Sequence, residues 1–187
     1  QGRDMLSAIL YRLRISVSVG VAATVLALAT GMTLGLIAGF RGGAFDALLM
    51  RLADLQLAFP SILVAMILLA LFGQGMEKII LALVASQWAY YARTTRAAAL
   101  VERDKDYIAA ARLLGLSTPR IVLRHLLPNC LPPLIVVASL QVAAAIALEA
   151  TLSFLGLGLP VTEPSLGLLI ANGFQHLYAG RYWISVF

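Results

Sequence analysis

The chain has 187 residues, of which 61% are hydrophobic and 12% charged, and its mean hydropathy of +0.92 lies well outside the soluble range. That composition excludes an ordinary soluble domain and indicates an integral membrane protein. The net charge of +5 does not point to nucleic acid, since the basic residues are not gathered on one face with interleaved aromatics, and the single cysteine, Cys130, excludes an internal disulfide or a cysteine metal cluster.

A helix needs about 20 apolar residues to cross the hydrocarbon of a bilayer. On that measure four spans are expected. The first, Ile15 to Phe40, is uncharged and bracketed by Arg12, Arg14 and Arg41. Leu55 to Gly73 is the second, with Pro60 placed near its start, where a missing backbone donor disturbs a helix least. Ile79 to Ala92 is short and is completed by Met76 and by snorkelling of Lys78 and Arg93. The fourth, Asn129 to Leu148, opens on Pro132-Pro133 and runs on to Glu149 and the segment Leu152 to Pro160. Several long apolar runs in succession are structure rather than a secretory signal. Both ends read as cut, from Gly2-Arg-Asp4 to an apolar run at Tyr182 to Phe187 too short to cross a membrane, so a span is expected to be missing at each.

Small residues recur every fourth position on the first span: Ala23, Ala27, Gly31, Gly35 and Gly39. Such a stripe allows a neighbouring helix to approach closely. Ser139, Ala143, Ala147 and Thr151 make a softer stripe on the fourth, and the two together predict a tight bundle.

Lys and Arg set the orientation. Arg93, Arg96, Arg103, Lys105, Arg112, Arg120 and Arg124, with Arg41 and Arg51, fall on one side, against Arg3, Arg12, Arg14, Lys78 and Arg181 on the other. The richer side is expected to be cytoplasmic, with Trp88, Tyr90 and Tyr91 as an aromatic belt beside it. The region from about Leu155 to Tyr182 is then external.

The cytoplasmic island reads as helix, turn, helix. Asp104 and Asp106 precede Ala109-Ala110-Ala111, placing acid at the start of a strongly helix-forming run. Gly115 offers an end, and Ser117-Thr118-Pro119 reads as a cap followed by proline at the first position of a second helix. Ile121, Leu123, Leu126 and Leu127 give that helix an apolar side, while Arg120 and Arg124 face lipid phosphates or a protein partner. An amphipathic segment lying on the membrane surface has the same pattern.

Tyr107-Ile-Ala-Ala-Ala-Arg-Leu-Leu-Gly115, nine residues, then His125-Leu-Leu-Pro128 resembles the cytoplasmic signature of ABC importer permeases. Together with Arg124-His-Leu-Leu-Pro-Asn129, Leu131-Pro-Pro133, Leu152-Ser-Phe-Leu-Gly-Leu-Gly158, Leu57-Ala-Phe-Pro60 and Gly2-Arg-Asp4, it is similar to the dipeptide, oligopeptide and nickel permease family over essentially the whole chain. The resemblance implies an all-α, polytopic transmembrane helix bundle of the type I importer fold, here about four full spans plus part of another. Residues 1–187 would form one transmembrane permease domain with 93–128 as its cytoplasmic coupling loop.

The partners implied are a second homologous permease subunit, two cytoplasmic ABC ATPase subunits and an extracytoplasmic substrate-binding protein, in the lipid of a bacterial inner membrane. Short peptides or nickel would be the cargo. Residues implied to couple to an ATPase are Ala109, Ala110, Ala111, Arg112, Gly115, Ser117, Arg120, Leu127 and Pro128, with a docking helix from Ala109 to about Thr118. Two positions depart from the signature, which has Glu where Ala109 stands and Ile where His125 stands. A charge contact at the first of these is therefore in question.

The chain has no Gly-x-x-x-x-Gly-Lys-Ser/Thr phosphate loop, so no cofactor is expected on it, and ATP and Mg would be used by the partner ATPases. His125 and His176 form no metal or catalytic set, and His176 is expected to be an ordinary interfacial residue. Glu149, Gln141, Gln87 and Asp54 are the polar candidates for a pathway. Glu149 is expected to face the bundle or the outer boundary, and Asp54 to sit at the helix start of the second span. A secondary transporter or ion channel would need more charged or broken-helix sites at mid-membrane, and an intramembrane enzyme would need a nucleophile and base.

Overall fold

The computed structural model describes residues 5–159 and 165–177. Gly2-Arg-Asp4, Pro160, Arg181 and the run Tyr182 to Phe187 lie outside the described residues, as does the side chain of His176. All elements are helical: α1 Met5–Arg41, α2 Gly43–Ala58, α3 Ser61–Phe72, α4 Met76–Arg103, α5 Asp106–Leu113, α6 Thr118–Ile121, a π segment Val122–Leu126, α7 Leu127–Phe154 and α8 Leu166–Leu177. The fold is all-α and polytopic.

Two helices among the described residues are long and apolar enough to cross a membrane, Ile9–Arg41 and the continuous Thr118–Phe154, and a third span arises if the broken pair α2 and α3 counts as one. The expectation of four spans is therefore not met in full. The second expected span, Leu55 to Gly73, is broken at Phe59-Pro60, where Phe59 is extended at φ −90° and ψ 138°, the conformation that a following proline favours. Pro60 ends one helix rather than riding inside another. The third lies within α4, whose apolar run is interrupted by Gln87 and closed by Arg93 and Arg96. That helix continues to Arg103, so the first residues of the expected loop are helical.

In α7 the fourth expected span is longer than expected at both ends. Pro128 is separated from the π segment by Leu127 alone. A proline ring inside a helix collides with the carbonyl four residues back, and the wider π turn, in which the Leu127 N–H donates to the Val122 carbonyl, opens the backbone just ahead of it.

The described residues form two compact units, the first within 1–24, 61–86 and 142–187 and the second within 25–60 and 87–141. The first has a core of Val19 and Ala23 from α1, Ala65 and Leu69 from α3, Ile79, Ala82 and Leu83 from α4, and Leu152 from α7. Leu36, Ala99, Ile108, Ala111, Ile121, Leu126 and Cys130 form that of the second. Large apolar side chains also point outward, among them Val25 and Leu26 of α1, Ile67 and Leu71 of α3, and Ile135, Val136 and Leu140 of α7. Hydrocarbon rather than water is the solvent that suits such a surface.

The stripe on α1 is occupied. Ala23 and Ala27 are fully buried. Within the second unit Gly31 abuts the Trp88 carbonyl and Tyr91, Gly35 abuts Ala92 and Thr95, and Gly39 abuts Arg96 and Ala99. The softer stripe is not: Ser139, Ala143, Ala147 and Thr151 are all exposed. Its hydroxyls are satisfied within α7 itself, Ser139 donating to the Val136 carbonyl and Thr151 to that of Ala147, both at 2.8 Å. Tyr91 likewise departs from the expected aromatic belt, since its side chain is fully buried while Tyr90 remains exposed.

Candidate functional site

The basic island occupies the second unit and is built on α5. Asp106 lies in the first turn of that helix, where the macrodipole favours an acid, and Lys105 precedes it in extended conformation. The helix spans Asp106–Leu113, so it starts before and ends before the docking helix expected from Ala109 to Thr118; Thr118 belongs to α6. Ile108 and Ala111 face the core. Ala109, Ala110 and Arg112 are exposed, and Leu113 and Leu114, at 90% and 78% exposure, are the most exposed large apolar residues of the unit.

Gly115 ends this helix at φ +71°. The Leu116 N–H donates to the Ala111 carbonyl at 3.2 Å and the Gly115 N–H to that of Arg112 at 3.0 Å. This is a Schellman end, in which the residue after the helix must be left-handed and is therefore best filled by glycine. Its accompanying apolar contact is present, because Leu116 packs on the cluster that includes Ala111. Ser117 then stands extended ahead of α6, with proline in the first turn.

Several polar contacts fix α5 to its surroundings. The Tyr107 hydroxyl donates to Glu102 at 2.7 Å, accepts from Asn129 Nδ2 at 3.2 Å, and so links the end of α4 to α5 and α7. Lys105 donates to the other Glu102 oxygen at 2.7 Å. The Lys105 and Tyr107 hydrogen bonds hold the Glu102 carboxyl below its ordinary range. Burial, reinforced by the Glu102 contact, pushes Tyr107 up to about 12, so it remains a protonated donor at neutral pH. Arg112 lies over the Phe40 ring at 5.4 Å, Arg103 Nη1 donates to the Gly39 carbonyl at 2.7 Å, and Arg96 pairs bidentately with Asp46, its Nη2 bond measuring 2.7 Å.

Of the other island candidates, Ser117, Arg120 and Pro128 are exposed, whereas Leu127 packs against the unit's core. Asp46 and Glu102 were given no role by the sequence, and Tyr107, Asn129, Leu113 and Leu114 stood only within its motifs or expected docking helix, with no role of their own. Asp46 and Arg96 are fifty positions apart and share no pattern.

Of the four pathway candidates, Asp54, Gln87 and Gln141 lie in the second unit and Glu149 in the first. Asp54 is late in α2, not at a helix start, and makes an exposed pair with Arg93 at 3.0 Å; the first-turn acid of that helix is Asp46. Gln87 Nε2 donates to the Gln141 carbonyl at 3.2 Å, a cross-helix bond between α4 and α7. Glu149, in the first unit, is fully buried. Its two oxygens accept from Ser16 at 2.8 Å and Ser153 at 2.7 Å. Those hydroxyls in turn accept the N–H groups of Leu166 and Leu159, each at 3.3 Å. One carboxyl thereby fastens α1 and α7 to the start of α8.

Replacing Glu149 by Leu leaves both hydroxyls without their acceptor at about 1–3 kcal/mol each, and a fall in melting temperature of the purified protein is the expected outcome. Glu149→Gln, which keeps an acceptor, should lose less. Equal melting of the Leu variant and wild type would show that the knot does not hold the unit together.

A family model described as binding-protein-dependent transport system inner membrane component matches residues 31–187. The chain is 42% identical over 186 residues to a putative peptide transport system permease protein of Brucella suis, covering 100% of this chain and 62% of that protein. It is 40% identical over 182 residues to the di/tripeptide transport system permease protein DppC of Pseudomonas aeruginosa, covering 97% and 59%. With the oligopeptide transport system permease protein OppC of Bacillus subtilis it shares 38% identity over 176 residues, covering 94% and 58%. The chain thus spans roughly three fifths of the length of these relatives. With its apolar helices, it belongs to the binding-protein-dependent transport system inner membrane component family and is a multi-pass protein of the bacterial inner membrane.

Proposed function

We propose that this chain is the membrane-spanning permease subunit of an ATP-driven, binding-protein-dependent importer of di- or oligopeptides. The observation that carries the reading is the end of α5, where Ala109, Ala110, Leu113 and Leu114 present an apolar surface to the outside of the chain. The other side of the same short helix is fixed through Ile108, Ala111, Tyr107 and Arg112. A soluble ATPase binding there would grip a helix that cannot move alone. Its partners would be two such ATPases, which use ATP and Mg, a second permease subunit and an external substrate-binding protein. All three relatives are peptide transport permeases by name, which favours peptide cargo over nickel.

The mechanism follows from how α5 is held. When the ATPases close on ATP, a shift of α5 acts on α1 through the Arg112–Phe40 stack, and α4 is tied to the same end of α1 by the Arg103 bond to the Gly39 carbonyl. Only a difference in ATPase affinity for the two arrangements moves the equilibrium between them. Rigid attachment is what lets that difference reach the spans.

Co-expression of the full-length permease with its cognate ATPases is expected to yield a stable complex whose ATP hydrolysis rises with binding protein and peptide. Peptide accumulation by the permease alone, driven by an ion gradient and indifferent to the ATPases, would replace this reading with a secondary transporter.

A further inference from the structure

Between the last turns of α1 and the start of the α6–π–α7 helix, the second unit carries an open groove of about 230 Å³. Its walls include Ile37, Phe40, Pro119, Val122 and Leu123, and Arg41 stands at its edge. We propose that this groove holds an acyl chain of an anionic phospholipid, with the phosphate on Arg41 and Arg120.

Position is the first support. The two walls belong to the two helices able to span the membrane, and the groove lies where both reach their limits, Arg41 ending one and Thr118 beginning the other. Helices of 33 and 37 residues exceed the roughly 20 that cross the hydrocarbon, so their ends stand among or beyond the head groups. Ile37 and Leu123 expose apolar surface there, and an acyl chain covers it as water does not.

Charge is the second. In the same unit Arg93, Arg96, Arg103 and Lys105 each pair with a carboxylate. Arg41, Arg51, Arg112, Arg120 and Arg124 are exposed and meet no acidic side chain among the described residues; of these Arg41 lines the groove, Arg120 follows the lining Pro119 in sequence, and no acidic residue lines the groove. A phosphodiester supplies the missing anion, and Arg is the side chain best shaped to take one. Phe40 both lines the groove and lies under Arg112, so an occupant would touch the element that carries α5.

The test is lipid retention by the assembled complex, read by native mass spectrometry in detergent with added phosphatidylglycerol or phosphatidylcholine. Phosphatidylglycerol should be retained and phosphatidylcholine lost. The double variant Arg41→Gln/Arg120→Gln should weaken retention roughly 25-fold, about fivefold for each surface charge removed, while Arg41→Lys should keep most of it. Ile37→Trp, which fills the groove and leaves both arginines, should also lower retention, and it carries the test if the double variant does not fold. Equal retention of the two lipids, no change in the double variant, competition by inorganic phosphate as strong as by lipid, or quantitative cross-linking of Arg41→Cys to another subunit would each overturn the proposal.

Discussion

Gly35→Leu is expected to abolish recovery of the folded permease. A Cβ at this position would lie against the Ala92 carbonyl, 2.8 Å from Thr95 Cβ and 3.1 Å from Ala92 Cα. Two of these three neighbours are backbone atoms of α4, which no rotamer change moves. The helices must separate instead, and overpacking of this kind costs about 1–3 kcal/mol even where the core adapts. A leucine adds three further carbons to that clash. Gly35→Ala should show the onset of the effect, with reduced melting temperature and yield. Size-exclusion profiles and thermal melts of the three proteins read it, and a leucine variant that matched wild type in both would mean that α1 and α4 do not meet along this stripe.

Ala110→Arg is expected to leave a folded, membrane-inserted protein that no longer transports. Ala110 is exposed, so an arginine there disturbs nothing within the chain and acts only on what binds α5. Gly115→Val works differently. Nothing lies within 4 Å of a Cβ at this site, but φ is +71°, and a β-branched residue held there is strained by about 1–2 kcal/mol. The helix end would shift and take Leu113 and Leu114 with it. In reconstituted complexes both variants should drive transport to background and detach ATP hydrolysis from stimulation by the binding protein. Ala109→Glu, also exposed, should be tolerated. Normal transport by Ala110→Arg would remove α5 from the coupling site.

What could be read in advance was local. Gly115 ends α5 where a left-handed residue is required, whereas Ser117 takes the N-cap place of α6 without a side-chain cap bond and Pro119 stands second rather than first in that helix. The break at Pro60 was equally local but was masked by an uncharged run, because absence of charge measures solvation and not helical continuity. Facing partners were the harder matter. Gly31, Gly35 and Gly39 have the same spacing as Ser139, Ala143, Ala147 and Thr151, yet among the described residues the glycines lie against α4 while the second set is exposed. Spacing names a face and says nothing of what covers it. Asp46 with Arg96, and Glu149 with Ser16, depend on contacts between distant segments, and no periodicity carries that information.

The π segment ahead of Pro128 also determines which residues share a line along the helix. Ile121, Leu126, Cys130 and Leu134 are exposed by 2%, 0%, 0% and 1%. The later three are four positions apart and fall on one side of an α-helix, whereas residues five apart would point about 140° away from each other. A turn closed between residues five apart restores the alignment, so Ile121 stays in the core with the others. In register the helix therefore behaves as an unbroken one with a single surplus residue, taken up where proline needs the room.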